Sequence, residues 1–319
     1  MKRRNLLAGG IAGLALPHGI LAQGAYPSRP VTIVVGFAAG GAGDISARIV
    51  ADAAKNLRGA PVAVEFRPGA GATLATGQVA RARPDGTTLS LFSGSPLLTA
   101  PHLQRVPYDT LKDFTYICSY VAISIPVYVK ADSPFRTWAD LVAHTRANPG
   151  KLRWGTAAVR GTAHIATEAA FKKEGLQTTF VPFSGGADAI TALLGGHIEA
   201  VVSSDYGPQL DAGTVRLLIE TGPQKIPGHP ELPTFAELGY PISVPSTYGL
   251  FGPAGMPAEV TSFWEGVVKE LMATQGYEDF LKLLRGTRFY EDGATLTRTV
   301  GTAYATLGTA IEASGMRAR

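Results

Sequence analysis

The chain has 319 residues, a net charge of +4 and a single cysteine. That length is enough for two lobes of ordinary domain size, and one cysteine excludes an intramolecular disulfide. The charges are dispersed, with no Lys/Arg cluster interleaved with aromatics, which excludes the electrostatic footprint of nucleic-acid binding; a modest basic excess is compatible with anionic ligands but names none.

The first residues, Met1-Lys2-Arg3-Arg4, precede an apolar stretch that stops at Pro17-His18. A positive start, a short apolar run and a small-residue exit predict a signal peptide over residues 1–25, with cleavage after Ala22 or Ala25. The run is shorter than the roughly 20 residues needed to cross a bilayer. Arg3-Arg4-Asn5-Leu6-Leu7 fits a twin-arginine signal, although adjacent arginines also occur in general export signals. With no cysteine near the cleavage site, a lipid anchor is not expected.

Strand and helix patterns then alternate. Val31-Thr32-Ile33-Val34-Val35 is a β-branched run that reads as a buried strand of a parallel sheet. A glycine-rich turn follows, and residues 44–57 read as a helix with Ile45, Ile49 and Ala53 on one face. Further strands are expected at 62–66 and 88–92. A second unit begins near Val127, with strands at 127–129, 152–155, 179–181 and 198–202. This is the grammar of an α/β chain. Cys118 lies in an apolar stretch and reads as a small buried hydrophobe. Pro257 opens a helix whose apolar stripe includes Val260, Trp264, Val267 and Leu271.

One local echo carries chemistry. Gly40-Gly41-Ala42-Gly43-Asp44 follows the first strand, and Gly185-Gly186-Ala187-Asp188 follows a strand in the second half. A third small-residue turn runs from Thr156 to His164. A helix N-terminus exposes unpaired N–H groups and about half a positive charge, so it can hold a carboxylate without a formal cation. Ser93, Ser95, Thr156, Thr162 and Ser184 can add hydroxyls. Such turns also serve merely to make the corner, and small hydroxyls often only cap helices. Asp44 and Asp188 suit a first helical turn, where acidic groups complement the dipole. Arg160 can fork onto a carboxylate or stand solvated at the surface.

Catalytic patterns are poor. The six histidines are scattered and no HExxH occurs; His164 and Glu168 share a helical face, but no third metal ligand accompanies them. Ser95 and Ser184 lack the glycines of a GxSxG elbow, and Ser46 replaces the third glycine of a dinucleotide fingerprint.

From Tyr26 almost to its end the chain resembles the Bug receptors, the extracytoplasmic solute-binding proteins of tripartite tricarboxylate transporters. Tyr26-Pro27-Ser28-Arg29-Pro30, Arg67-Pro68-Gly69-Ala70-Gly71, Pro107-Tyr108-Asp109, Leu193-Leu194-Gly195-Gly196, Pro233-Thr234-Phe235-Ala236-Glu237 and Gly252-Pro253-Ala254-Gly255 carry the resemblance, together with the glycine-rich turns. It implies an α/β, type II periplasmic-binding-protein fold: two α/β lobes with a ligand cleft between them, closing by hinge motion. Residues 26–126 and 250–319 are expected to form lobe 1, and 127–249 lobe 2. The resemblance further implies a periplasmic monomer that binds without catalysis and without metal or cofactor. Its ligand would be a small carboxylate (a di- or tricarboxylate, an acidic amino acid or an aromatic carboxylate), and its partners the membrane permease subunits. Ligand presentation to a sensor kinase, and a periplasmic hydrolase or lyase, are the alternative readings.

The matching turns place Phe37, Ala38, Gly40, Gly41 and Asp44 at one end of the ligand, partly through water. Thr156, Arg160, Gly161, Thr162, His164, Phe183 and Ser184 fall at the other end, and Ser93, Ser95 and Ser204 complete the expected site. This chain departs from the family pattern inside that site. Gly36 and Ala39 replace prolines, Ala158 and Arg160 replace glycines, and Gly161 replaces a hydroxyl residue. Phe183-Ser184 stands where Tyr-Lys is common, and Ser203-Ser204 where Asp-Asn is common. The resemblance therefore does not carry a particular ligand with it.

Overall fold

The computed structural model describes residues 26–156 and 159–316. The signal-peptide and twin-arginine readings, and the replacement at Ala158, lie outside the described residues. Two sheets organise the chain. The first contains β1 (Val31–Val35), β2 (Val62–Phe66), β3 (Thr88–Phe92), β4 (Phe114–Ile123), β10 (Ser246–Pro253) and β11 (Thr287–Asp292), in the order β11-β4-β10-β3-β1-β2. The second contains β5 (Pro126–Lys130), β6 (Arg153–Thr156), β7 (Thr179–Pro182), β8 (Ala200–Val202) and β9 (Val215–Glu220), in the order β7-β6-β8-β5-β9. The helices are α1 (Ala42–Arg58), α2 (Thr73–Ala80), α3 (Ala100–Leu103), α4 (Trp138–Ala147), α5 (Thr162–Lys173), α6 (Gly186–Leu194), α7 (Gly207–Asp211), α8 (Ala258–Leu271), α9 (Gln275–Leu284) and α10 (Gly293–Ala313).

β1 is β-branched throughout and lies between two parallel neighbours, β2 and β3. Burial on both faces explains why it reads as continuously apolar rather than alternating. The sheets are mixed rather than purely parallel, because β10 returns from the second sheet and inserts antiparallel between β3 and β4. The helix expected at 44–57 begins at Ala42 and runs to Arg58. It ends on Gly59 at φ 64°, whose N–H bonds back to the carbonyls of Ala54 and Lys55. The strand expected at 198–202 shortens to Ala200–Val202, because its ladder to β6 starts only at Trp154 opposite Ala200.

One apolar cluster packs α1, α8 and α9 onto one face of the first sheet and includes the fully buried Cys118. A second joins the other face, under α2 and α10, to the core beneath α4 and α5 of the second sheet. The apolar interior is therefore continuous between the lobes. The chain crosses from sheet to sheet between β4 and β5 and returns between β9 and β10. Glu220 braces the crossing: its Oε1 accepts from the backbone N–H of Ile125 at 3.0 Å and of Gly222 at 2.9 Å. Its Oε2 is buried with no hydrogen-bond partner among the described residues, and burial pushes the carboxyl pKa up from 4.5 to about 7.

Candidate functional site

Three strand-to-helix turns converge between the sheets. β1 leads into α1, β6 into α5 and β7 into α6, and the three N-caps are Gly41, Gly161 and Gly185. A glycine N-cap offers no side chain, so the first N–H groups of these helices wait for another acceptor. The lobes meet closely here. A Cβ on Gly185 would stand 2.9 Å from that of Ala38, and a Cβ on Gly71 would stand 2.5 Å from the carbonyl oxygen of Val159. Arg285 at the end of α9 pairs with Asp211 at the end of α7, a further contact across the divide.

The cleft they enclose has a cavity volume of about 70 Å³, room for several waters or the body of a small ligand. Phe37, Ile123, Ile125, Val202 and Tyr248 supply its apolar wall. Ser93, Ser95, Thr156, Thr162, Ser203 and Ser204 add hydroxyl-bearing residues. Among the described residues that line it there is no Lys, Arg or His, and the charged one is Asp205.

The two ends of this cleft differ. At the α5 end, the Thr162 N–H reaches the Ser95 hydroxyl across the lobes at 3.3 Å. Thr162 Oγ1 is buried and has no hydrogen-bond partner among the described residues, an arrangement that costs stability unless something else satisfies it. At the α1 end, Asp205 occupies the helix terminus. Its Oδ1 accepts from the Ala42 N–H at 2.5 Å and its Oδ2 from the Ser203 hydroxyl at 2.6 Å. Ser203 is oriented in turn by accepting from the Asp205 N–H at 3.1 Å. Loss of hydration raises the Asp205 pKa above the ordinary carboxyl value, and these hydrogen bonds work against the rise. Burial raises the phenols of Tyr128 and Tyr248, and the same negative charge adds to the rise.

Of the residues expected from sequence, Phe37, Ala38, Gly41, Ser93, Ser95, Thr156, Thr162 and Ser204 line the cleft. The others stand around it. Gly40, at φ 86°, makes the turn, and Asp44 folds back onto that turn, accepting from the Gly40 N–H at 2.9 Å and from Arg48 at 2.5 Å. Gly161 is the N-cap of α5. His164 braces the same loop: its Nδ1 accepts from the Arg160 N–H at 2.8 Å and its ring stacks on Phe180. That bond puts the proton of a neutral ring on Nε2, which faces Glu168 at 3.2 Å. Phe183 and Ser184 line a neighbouring cavity with Gly36 and residues 69–72.

Arg160 takes a left-handed backbone, φ 58°, a conformation that favours glycine. Its guanidinium lies at the surface and donates to Gln104 Oε1 at 3.1 Å. Of the two readings of Arg160, this contact favours a surface position at the rim over a fork onto a cleft carboxylate. Asp205, Ser203 and Tyr248 were not singled out as ligand contacts by sequence reasoning. One signal was available: Asp205 lies just beyond the carboxyl end of a buried strand, where ligands bind in α/β sheets.

The comparisons with known proteins agree with this fold. Residues 46–316 match the family described as tripartite tricarboxylate transporter family receptor. A UPF0065 protein of Cupriavidus necator is 34% identical over 289 residues, covering 88% of each chain. The periplasmic binding protein BugD superposes with a TM-score of 0.85 at 27% identity, over 92% of this chain and all of that one. The R. palustris protein Rpa4515, solved with adipate, gives a TM-score of 0.82 at 26% identity, over 91% of this chain and 98% of the other. Two sheets joined by crossing strands, a cleft where three helices begin, and a family match over most of its length lead to one conclusion: the chain belongs to the tripartite tricarboxylate transporter receptor family, the periplasmic solute-binding proteins of Bug type.

Proposed function

We propose that this receptor captures a small carboxylate in the periplasm and delivers it to the permease subunits of a tripartite tricarboxylate transporter. The observation that carries this reading is the α5 end of the cleft, where Thr162 Oγ1 is buried without a partner among the described residues, at a helix terminus capped by glycine. A carboxylate suits that place. Its oxygens accept from hydroxyl and amide donors, and its charge is favoured by the helix dipole. The relative solved with adipate supports a carboxylate ligand.

The lobe bounds expected from sequence shift by a few residues, because β5 enters the second sheet at Pro126 and β10 enters the first at Ser246: residues 26–125 with 246–319 act as one lobe and 126–245 as the other, hinged where the strands cross. The protein works as a monomer, and a ligand favours closure to the extent that it binds the closed form better than the open one. Thr162, Ser95, Ser93 and Thr156 receive the carboxylate, while Phe37, Ala38, Gly41 and Ser204 contact the rest of the ligand. Gly40, Asp44, Gly161 and His164 shape the turns, and Arg160, Phe183 and Ser184 stand at the rim.

A thermal-shift screen over mono- and dicarboxylates tests the reading. A ligand at 100 times its dissociation constant stabilises by about 2.7 kcal/mol, which is readily seen. Thr162→Val should weaken the best hit by roughly 1.5–3 kcal/mol, the range for a hydrogen bond to a charged group. A screen with no stabilising carboxylate, or an unaffected Thr162→Val, refutes it.

A further inference from the structure

We infer that Asp205 sets the ligand class: the end of the ligand that faces α1 carries a hydrogen-bond-donating head, an ammonium, hydroxyl or amide, rather than a second carboxylate. The inference rests on the carboxylate-capture reading above and concerns the opposite end of the same cleft.

The Asp205 carboxylate stands where an incoming anion would have to sit. It is bound to the first N–H of α1, the donor an external anion would seek. The fit is tight on both sides. A Cβ on Gly41 would stand 2.9 Å from Asp205 Oδ1, and a Cβ on Gly186 would stand 1.5 Å from Oδ2. The glycines that begin α1 and α6 thus make room for a side chain of this protein. The seat is held from both lobes, since Asp205 and Ser203 follow β8 while Ala42 begins α1.

Charge balance argues the same way. No cation lines the cleft among the described residues, so a dicarboxylate would place two negative charges beside a third with only dipoles and hydroxyls to offset them. A ligand with one carboxylate needs one anion seat, and the α5 end provides it. Ser203 is fixed by its own bonds to Asp205, and Tyr248 lines the cleft with its hydroxyl 3.4 Å from that of Ser204. A donor head entering here meets the lone pairs of Asp205 that Ala42 and Ser203 leave free, and a carboxylate head meets repulsion.

A series matched in length separates the possibilities: adipate, 6-aminohexanoate, 6-hydroxyhexanoate and hexanoate, with the corresponding four-carbon set, titrated calorimetrically into wild type, Asp205→Asn and Asp205→Ala. Wild type should bind the amino or hydroxy acid at least tenfold more tightly than the dicarboxylate of equal length. Asp205→Asn should erase or invert that ratio, and Asp205→Ala should act in the same direction. Ligand-free melting temperatures show that each variant is folded. A wild type that prefers the dicarboxylate, a ratio unchanged by both substitutions, or a wild type that binds no donor-headed acid overturns the inference. The first two of these leave carboxylate capture standing; loss of binding on Thr162→Val reports on that capture separately.

Discussion

The α5 and α1 ends of the cleft start from the same plan and finish differently. Each begins a helix with a glycine N-cap that contributes no side-chain bond. At α5 the terminus faces hydroxyls, one of them buried and unpartnered among the described residues. At α1 the corresponding place is filled by the Asp205 carboxylate. A glycine-rich turn therefore fixes where donors point and how closely something can approach. Whether an external anion is invited depends on a side chain 163 residues away along the chain.

The sharpest way to break this contrast is to fill the glycine on which it depends. Gly186→Ala would put a methyl group 1.5 Å from Asp205 Oδ2 and 2.7 Å from Ser203 Oγ. We expect a loss of about 3 kcal/mol, the upper end for overpacking, measured by urea unfolding. In an Asp205→Ala background the same change should cost much less. A coupling near zero in that double-mutant cycle would mean that the close fit is unimportant.

Acidification narrows the difference between the ends by a second route, since the pKa of Asp205 is raised and the group becomes protonated and uncharged as pH falls. Dicarboxylates should gain affinity relative to amino acids of the same length as pH is lowered. A stability effect accompanies it from the crossing strands. Glu220 titrates near 7 in the folded chain against 4.5 unfolded. Folded protein therefore holds the extra proton between those values. The stabilisation is complete below about pH 4.5 and is lost as pH rises through 7. Its size is at most about 3 kcal/mol at 1.36 kcal/mol per pKa unit. Glu220→Gln keeps an acceptor for Ile125 and Gly222 and should flatten this slope, with the variant gaining on wild type as pH rises from about 4.5 to 7 and holding that gain above it. Parallel slopes for the two proteins would show that Glu220 does not titrate in this window.

Thr162→Val probes the other end, and its two effects should have opposite signs. Ligand affinity should fall, as argued above. Ligand-free stability should stay level or rise by about 1 kcal/mol, because leaving a buried hydroxyl unsatisfied costs roughly 1–3 kcal/mol. Equal losses in both measurements would make Thr162 an ordinary packing residue.

What the sequence disclosed follows the range of the interactions. α1 and α8 are legible because their burial repeats with the helical period, and β1 because it is β-branched and apolar almost throughout. The turns before α1, α5 and α6 are legible because glycine is needed locally. The insertion of β10 between β3 and β4 is not, since antiparallel pairing with strands more than 100 residues earlier leaves no local pattern. Asp205 escaped for the same reason: nothing near it in the chain announces Ala42 as its partner. At Arg160 the sequence left two readings open, because the contact that bears on them, with Gln104, lies 56 residues earlier in the chain.

Arg160 yields the smallest expected effects. Its guanidinium is exposed and bonded to a neutral side chain, so Arg160→Ala should change carboxylate affinity by less than about 0.5 kcal/mol, the usual scale for surface substitutions. A loss of 1.5 kcal/mol or more, the charged-hydrogen-bond range, would return Arg160 to the ligand. Backbone conformation gives a second reading at the same position. Alanine keeps the Cβ that makes φ 58° unfavourable, and glycine removes it. Arg160→Gly should therefore be more stable than Arg160→Ala by about 0.5–1 kcal/mol, the strain relief of roughly 1–2 kcal/mol being partly offset by the greater freedom of glycine in the unfolded chain. If alanine proves the more stable of the two, the left-handed turn into α5 is not how the loop sits in solution, and the bond from the Arg160 N–H to His164 that depends on it would have to be redrawn.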